Sequence, residues 1–264
     1  METGIVEIQK FQVGTLKVEI YPSGKAAGDA AADASAAYLR QLQADAKDIS
    51  VIFATGMSQL ELLRALTSMH DLPWDQIRGF HLDEYIGIDA NHPASFRRYL
   101  RENLTDRVKL REFFEINGSA PDPEATAREY AQRLRHADPQ LCFLGFGENG
   151  HLAFNDPGEA DFKDPKDVKV VHLDAVCRQQ QASEGWFKTL QDVPAQAITV
   201  TIPALFRVPK LILTIPGKRK ANIVRRVMEE AISPDCPATI LRTHPDATAY
   251  LDMDAAAEWL GTAS

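Results

Sequence analysis

Four apolar runs in this chain end in residues able to do chemistry. The run 49–54 opens into Thr55, Gly56, Met57 and Ser58, a small-residue turn whose free N–H groups and Ser58 hydroxyl suit an anion, phosphate above all. The same turn also fits an ordinary serine cap on a helix. The run 77–82 ends at Asp83 and Glu84, adjacent acids; a carboxyl at the edge of an apolar pocket has its pKa raised toward the range of a general base. The run 141–144 leads into Gly145, Gly147 and Gly150, which imply a tight backbone path or a close approach to a ligand. Asn149, His151 and Asp156 follow that strand end and are near enough to converge on one substrate. The glycines lack the third member and helical continuation of a dinucleotide fingerprint. The run 211–215 ends at Lys218, Arg219 and Lys220, either a solvated charged face or the cationic half of a phosphate socket opposite Ser58.

Ligands of open α/β sheets collect beyond the carboxyl ends of the strands, and the spacing of apolar segments predicts such a sheet. Strands are expected at 16–20, 49–54, 77–82, 113–116, 141–144, 168–173, 198–202, 211–215 and 247–251. Helices are expected at 26–45, 58–69, 93–104, 123–135, 219–231 and 253–260. No linker, repeat or low-complexity block interrupts the alternation, which reads as one α/β domain over 1–264. Its expected core is a single doubly wound, mostly parallel, Rossmann-like sheet with helices on both faces.

With 264 residues, 45% of them hydrophobic and 25% charged, the chain has ordinary globular composition and enough length for a sizeable core. A net charge of -8 argues against a nucleic-acid surface, while a pocket can still gather a few cations for a small anionic substrate. Cys142, Cys177 and Cys236 form no Cys-x-x-Cys pair, so neither a disulfide framework nor a zinc motif is read, and a reducing, cytoplasmic setting fits. No membrane partner is expected, because no apolar stretch reaches spanning length. A homo-oligomer is left open.

Two long motifs carry a resemblance. Phe80-His81-Leu82-Asp83-Glu84-Tyr85-Ile86-Gly87, followed by His92-Pro93-Ala94-Ser95-Phe96, and the segment from Leu144 to Pro157 resemble the glucosamine-6-phosphate deaminase/isomerase family, which is related to 6-phosphogluconolactonase. The resemblance runs most clearly from Ala54 to Lys220. It implies conversion of glucosamine 6-phosphate and water to fructose 6-phosphate and ammonia, with no metal and no organic cofactor. By position, Asp83 resembles the base that moves a proton from C2 to C1, and His151 the group that opens the pyranose ring. Asn149 and Asp156 stand where relatives commonly carry Asp and Glu beside that histidine. Thr55, Gly56, Met57, Ser58 and Lys220 match phosphate-contact positions.

The departures from the family pattern define the alternatives. Asn149 orients His151 without adding charge, and Asp156 is one methylene shorter than Glu. Met57 and Gln59 replace the more usual Gly and Pro of the phosphate turn. Arg178 is the nearest cation in the lid segment 174–186, out of register with the family's phosphate-binding arginine, and Glu84 is a supporting candidate behind Asp83. Asp167 stands where allosteric relatives carry an effector-binding arginine, which implies no activation by N-acetylglucosamine 6-phosphate. A lactone hydrolase is the second reading, although Ala153-Phe154-Asn155-Asp156 follows the deaminase pattern. A non-catalytic sugar-phosphate sensor is the third.

Overall fold

The structure, a computed structural model, describes residues 8–45, 48–183 and 185–262. The first half of the chain supplies β1 (Gln9–Val13), β2 (Leu16–Tyr21), α1 (Gly24–Asp45), β3 (Ile49–Phe53), α2 (Leu60–Thr67), β4 (Ile77–His81), β5 (Asp83–Tyr85), α3 (Phe96–Leu100), β6 (Glu112–Phe114) and α4 (Pro123–Ala137). The second half adds β7 (Leu141–Leu144), β8 (Val168–His172), α5 (Ala175–Ser183), β9 (Gln196–Val200), α6 (Ile202–Phe206), β10 (Lys210–Ile215), α7 (Ala221–Glu229), β11 (Ala247–Asp252) and α8 (Met253–Thr262).

Eight strands form the main sheet in the order β1-β2-β11-β10-β7-β3-β4-β6, parallel throughout except at the β1–β2 hairpin. Every residue of β3 and β7 is buried, the pattern of a parallel sheet covered on both faces. Helix α1 follows from alanine at helical spacing: Ala27, Ala31, Ala32, Ala36 and Leu39 are buried, and Ser23 caps its start through Ala26 N. Gly28 lets α2 approach closely, because a Cβ there would meet the Glu61 side chain. Asp122 caps α4 by accepting from Ala125 N at 2.9 Å, and Pro123 occupies the first turn, where its missing N–H costs nothing.

The doubly wound sheet appears as expected, but it does not take every strand. The segments expected as strands at 168–173 and 198–202 pair instead with each other, and the second of them with β5, giving a small antiparallel sheet in the order β5-β9-β8. Hydrophobic periodicity reports burial and not which partner a strand finds. The helix expected at 93–104 starts only at Phe96, because Ser95 is held by Glu84 (Oγ to Oε2, 2.7 Å), and it loosens into a π-helical turn at Arg101–Thr105. Among the described residues no helix is long and apolar enough to cross a membrane.

Candidate active site

Strand order reverses between β3 and β7, where successive crossovers run to opposite sides, and this leaves a crevice beyond the strand ends. A cavity of about 440 Å³ occupies it, and Thr55, Gly56, Met57, Ser58, Asp83, His151 and Lys220 all line it. One concavity therefore receives groups from the ends of β3, β4, β7 and β10.

The strands on either side of β7 end alike. From β3 the chain passes into Gly56 (φ 96°) and the 3-10 turn Met57–Gln59 before α2; from β10 it passes into Gly217 (φ 94°) and the turn Lys218–Lys220 before α7. Those positive φ values are the reason glycine stands at both corners. Two helix starts thus aim backbone dipoles at the same crevice, with the Lys220 ammonium between them, donating to the Phe146 carbonyl at 2.8 Å. Met57 is exposed on the rim.

Gln59, which replaces a proline expected in this turn, is buried and acts as a tie. Its Nε2 donates to the Leu144 carbonyl at 3.0 Å and to Thr214 Oγ1 at 2.9 Å, fixing the turn to β7 and β10. Replacement by Leu leaves those acceptors unpaired in the interior, and an expected loss of about 1–3 kcal/mol follows, measurable as a lower urea midpoint.

Asp83 owes its position to a step between sheets. β4 ends at His81, Leu82 accepts from Val200 N at 2.8 Å, and the chain continues as β5 with Asp83 opposite Thr199. The step turns the Asp83 carboxyl into the cavity wall, 6% exposed. Burial pushes its pKa well above the ordinary carboxylate value, and the neighbouring Glu84 charge adds to the rise. Glu84 itself does not line the cavity. It is fully buried and accepts from Ser95 Oγ, Phe96 N and Arg97, with Arg97 Nε at 3.1 Å, so it pins the segment that presents Phe96 to the cavity. His81, beneath Asp83, accepts from Ile116 N through Nε2 at 2.7 Å; burial, with Arg97 nearby, holds its pKa down at about 3. It is a neutral structural histidine.

His151 lines the same cavity as Asp83, its ring seated over Gly147. Asn149 and Asp156 stand behind it, outside the lining. Asn149 Oδ1 accepts from His151 N at 3.0 Å, and Asn149 Nδ2 donates to both Asp156 Oδ1 and Asp174 Oδ2 at 3.0 Å. Asp156 Oδ1 is 3.0 Å from His151 Nδ1, misaligned for a straight hydrogen bond. Burial opposes ionisation of Asp156, yet its contacts with His151 and Asn149 prevail and hold its pKa below the ordinary value. An ionised carboxylate behind an imidazole fixes the orientation of the ring. Ala153, on the cavity wall, holds φ 50°, a conformation L residues adopt rarely.

Helix α5 closes another side with Gln180 and Gln181, both buried. Gln181 Oε1 accepts from Tyr85 OH at 2.8 Å, and Gln180 Oε1 accepts from Glu148 N at 3.1 Å. The glutamine run 179–181 was the available signal for them. Arg178, the nearest cation of the lid segment and already out of register with the family's arginine, is absent from the lining: its guanidinium donates to the Leu190 and Val193 carbonyls, both at 2.9 Å. Arg219 lines the cavity instead, paired with Glu148 at 2.8 Å. Asp167 lies elsewhere, bound to Arg135 and Arg207 at 2.7 and 2.6 Å.

A buried carboxyl with a raised pKa, an imidazole backed by a carboxylate and a cationic anion cradle, set at the switch point of an open α/β sheet, define an enzyme of the acid–base type acting on a small anion. The sequence model for glucosamine-6-phosphate isomerases/6-phosphogluconolactonase matches residues 22–250. A glucosamine-6-phosphate deaminase of Exiguobacterium sp. (strain AT1b) is 36% identical over 201 residues, covering 76% of this chain and 75% of its own. The solved structure of a monomeric glucosamine-6-phosphate deaminase superposes with a TM-score of 0.83 at 31% identity, covering 91% of this chain and 99% of the other. The 6-phosphogluconolactonase from Thermotoga maritima shares the fold, with a TM-score of 0.73 at 20% identity over 89% of this chain and 98% of the other. The chain belongs to the glucosamine-6-phosphate isomerase/6-phosphogluconolactonase family.

Proposed function

We propose that the protein converts glucosamine 6-phosphate and water to fructose 6-phosphate and ammonia. The observation that carries this reading is the single cavity shared by Asp83, His151 and the Ser58–Lys220 cradle. The relatives named deaminases, at 36% and 31% identity, support the substrate class.

The phosphate sits against the turn from Thr55 to Ser58 and against Lys220, so binding energy far from the reacting carbons orients C1 and C2. His151, held by Asn149 and Asp156, protonates the ring oxygen as the C1 hydroxyl gives up its proton to water, and the pyranose opens to the free aldehyde. Asp83 takes the C2 proton; the electron pair forms the C1–C2 double bond of an enolamine as O1 gains a proton. Asp83 then returns its proton to C1 while the amine nitrogen loses one, leaving an imine at C2. Water adds to that carbon and ammonia departs. A raised Asp83 pKa suits the task, since a stronger base removes a weakly acidic carbon proton more readily.

The test is release of ammonia and fructose 6-phosphate from glucosamine 6-phosphate by purified protein, with galactosamine 6-phosphate and 6-phosphogluconolactone as parallel substrates. Deamination of the first substrate is expected; loss of lactone above its spontaneous rate, with no ammonia from either amino sugar, overturns the proposal in favour of the hydrolase. Lys220→Ala should raise KM about 10-fold with a smaller effect on kcat, as expected for removal of one charged hydrogen bond from the phosphate.

A further inference from the structure

Behind the cavity wall, His151, Asp156 and Cys177 bring one nitrogen, one oxygen and one sulfur within 4.8 Å of one another, all from buried side chains. Among the described residues it is the only such group of metal-ligating side chains. His151 Nδ1 is buried and lacks a hydrogen bond of ordinary geometry, although Asp156 Oδ1 is 3.0 Å away. Around a tetrahedral zinc ion, with metal–nitrogen and metal–oxygen bonds of about 2.0–2.2 Å, ligand–ligand edges are about 3.3–3.6 Å, so these two groups need open by only a few tenths of an ångström to take the ion. Cys177, at the start of α5, completes the set from the other side and touches the Asp156 carboxylate.

We propose that His151, Asp156 and Cys177 form an inhibitory site for a soft divalent cation of the zinc class. Imidazole, carboxylate and thiolate are the donor types zinc takes, and three protein ligands leave a fourth position for water. Magnesium and calcium, which favour oxygen donors, bind poorly to this set. The ion enters through the cavity, onto which the His151 ring opens. Cys177 binds as thiolate and its proton goes to solvent. The bound ion occupies His151 Nδ1 and draws Asp156 away from the ring, so the imidazole loses its orientation and can no longer become an imidazolium. Inhibition rests on the proposed function; binding does not.

Cobalt(II) is the probe for binding. Titrated into the metal-free full chain, it is expected to saturate at one equivalent with a thiolate-to-cobalt charge-transfer band. That band should be lost in both Cys177→Ala and Cys177→Ser, and magnesium should not compete. Absence of the band in the wild type, or its persistence in both variants, which would move the thiolate to Cys142 or Cys236, overturns the site. In the ammonia assay, zinc should inhibit the wild type reversibly on addition of a chelator, with an inhibition constant raised about 10-fold or more in Cys177→Ala. A cobalt band together with zinc-insensitive turnover overturns the inhibitory role. Should the chain deaminate nothing, the cobalt titration still decides the site.

Discussion

Asp83→Asn should lower kcat by about 100- to 10,000-fold while sugar-phosphate binding persists. Asn keeps the shape of the side chain and removes its basicity, and the cradle of Thr55–Ser58 and Lys220 belongs to other strand ends that the substitution leaves alone. The paired measurements are ammonia release and protection against thermal unfolding by glucosamine 6-phosphate. Turnover near that of the wild type removes Asp83 from the base role; loss of protection together with turnover makes it a binding residue. The wild-type pH profile carries a second expectation. A base must be ionised, and burial with Glu84 alongside raises the Asp83 pKa well above its ordinary value. The acid limb of kcat/KM should therefore fall at a pH above the carboxylate range of about 4. Stability moves with a definite sign. A carboxyl whose folded pKa exceeds its unfolded value favours the fold when protonated, and that contribution disappears as pH rises through the folded value. At neutral pH the Asn variant should accordingly be at least as stable as the wild type, so its inactivity would not be a folding defect.

That opposition between stability and activity was only partly legible in the sequence. Adjacent acids after a buried run marked residues 83 and 84, and only the family resemblance, not the residue pattern, put Asp83 ahead of Glu84 in the cavity. Which of the two faces it depends on β5 leaving the main sheet to pair with β9, a long-range contact without local signature. The parallel sheet was legible because β3, β7 and β10 are nearly continuous apolar runs, and the cradle because a glycine needed for positive φ precedes each helix start. Arg178 was out of register with the family's arginine in the sequence, and what it does there depends on long-range loop geometry, since its guanidinium satisfies two loop carbonyls. Cys177 carried no pattern at all, since its neighbours His151 and Asp156 lie on a different segment.

Gly147→Ala should cost about 100-fold in kcat/KM, with any loss of stability coming from the displaced ring rather than from the backbone. The added methyl would overlap Cε1, Nε2 and Nδ1 of His151, the three atoms nearest to it, so the ring must move. Gly147 does not hold a positive φ, which leaves the backbone unstrained by alanine; restricting the unfolded chain even favours the fold by about 0.4–1 kcal/mol at compatible sites. The ring cannot retreat freely, because Asp156 and Asn149 close the space behind it and are themselves tied to Asp174. A displacement of about 1 Å in a proton-transfer group is enough for a loss of that size. The double variant isolates the cause. In a His151→Ala background the methyl has no ring to displace, so Gly147→Ala should add almost nothing to the loss already incurred. Additive losses in the two backgrounds would mean that the glycine serves the substrate's own approach and that the imidazole over it is not what its small size protects.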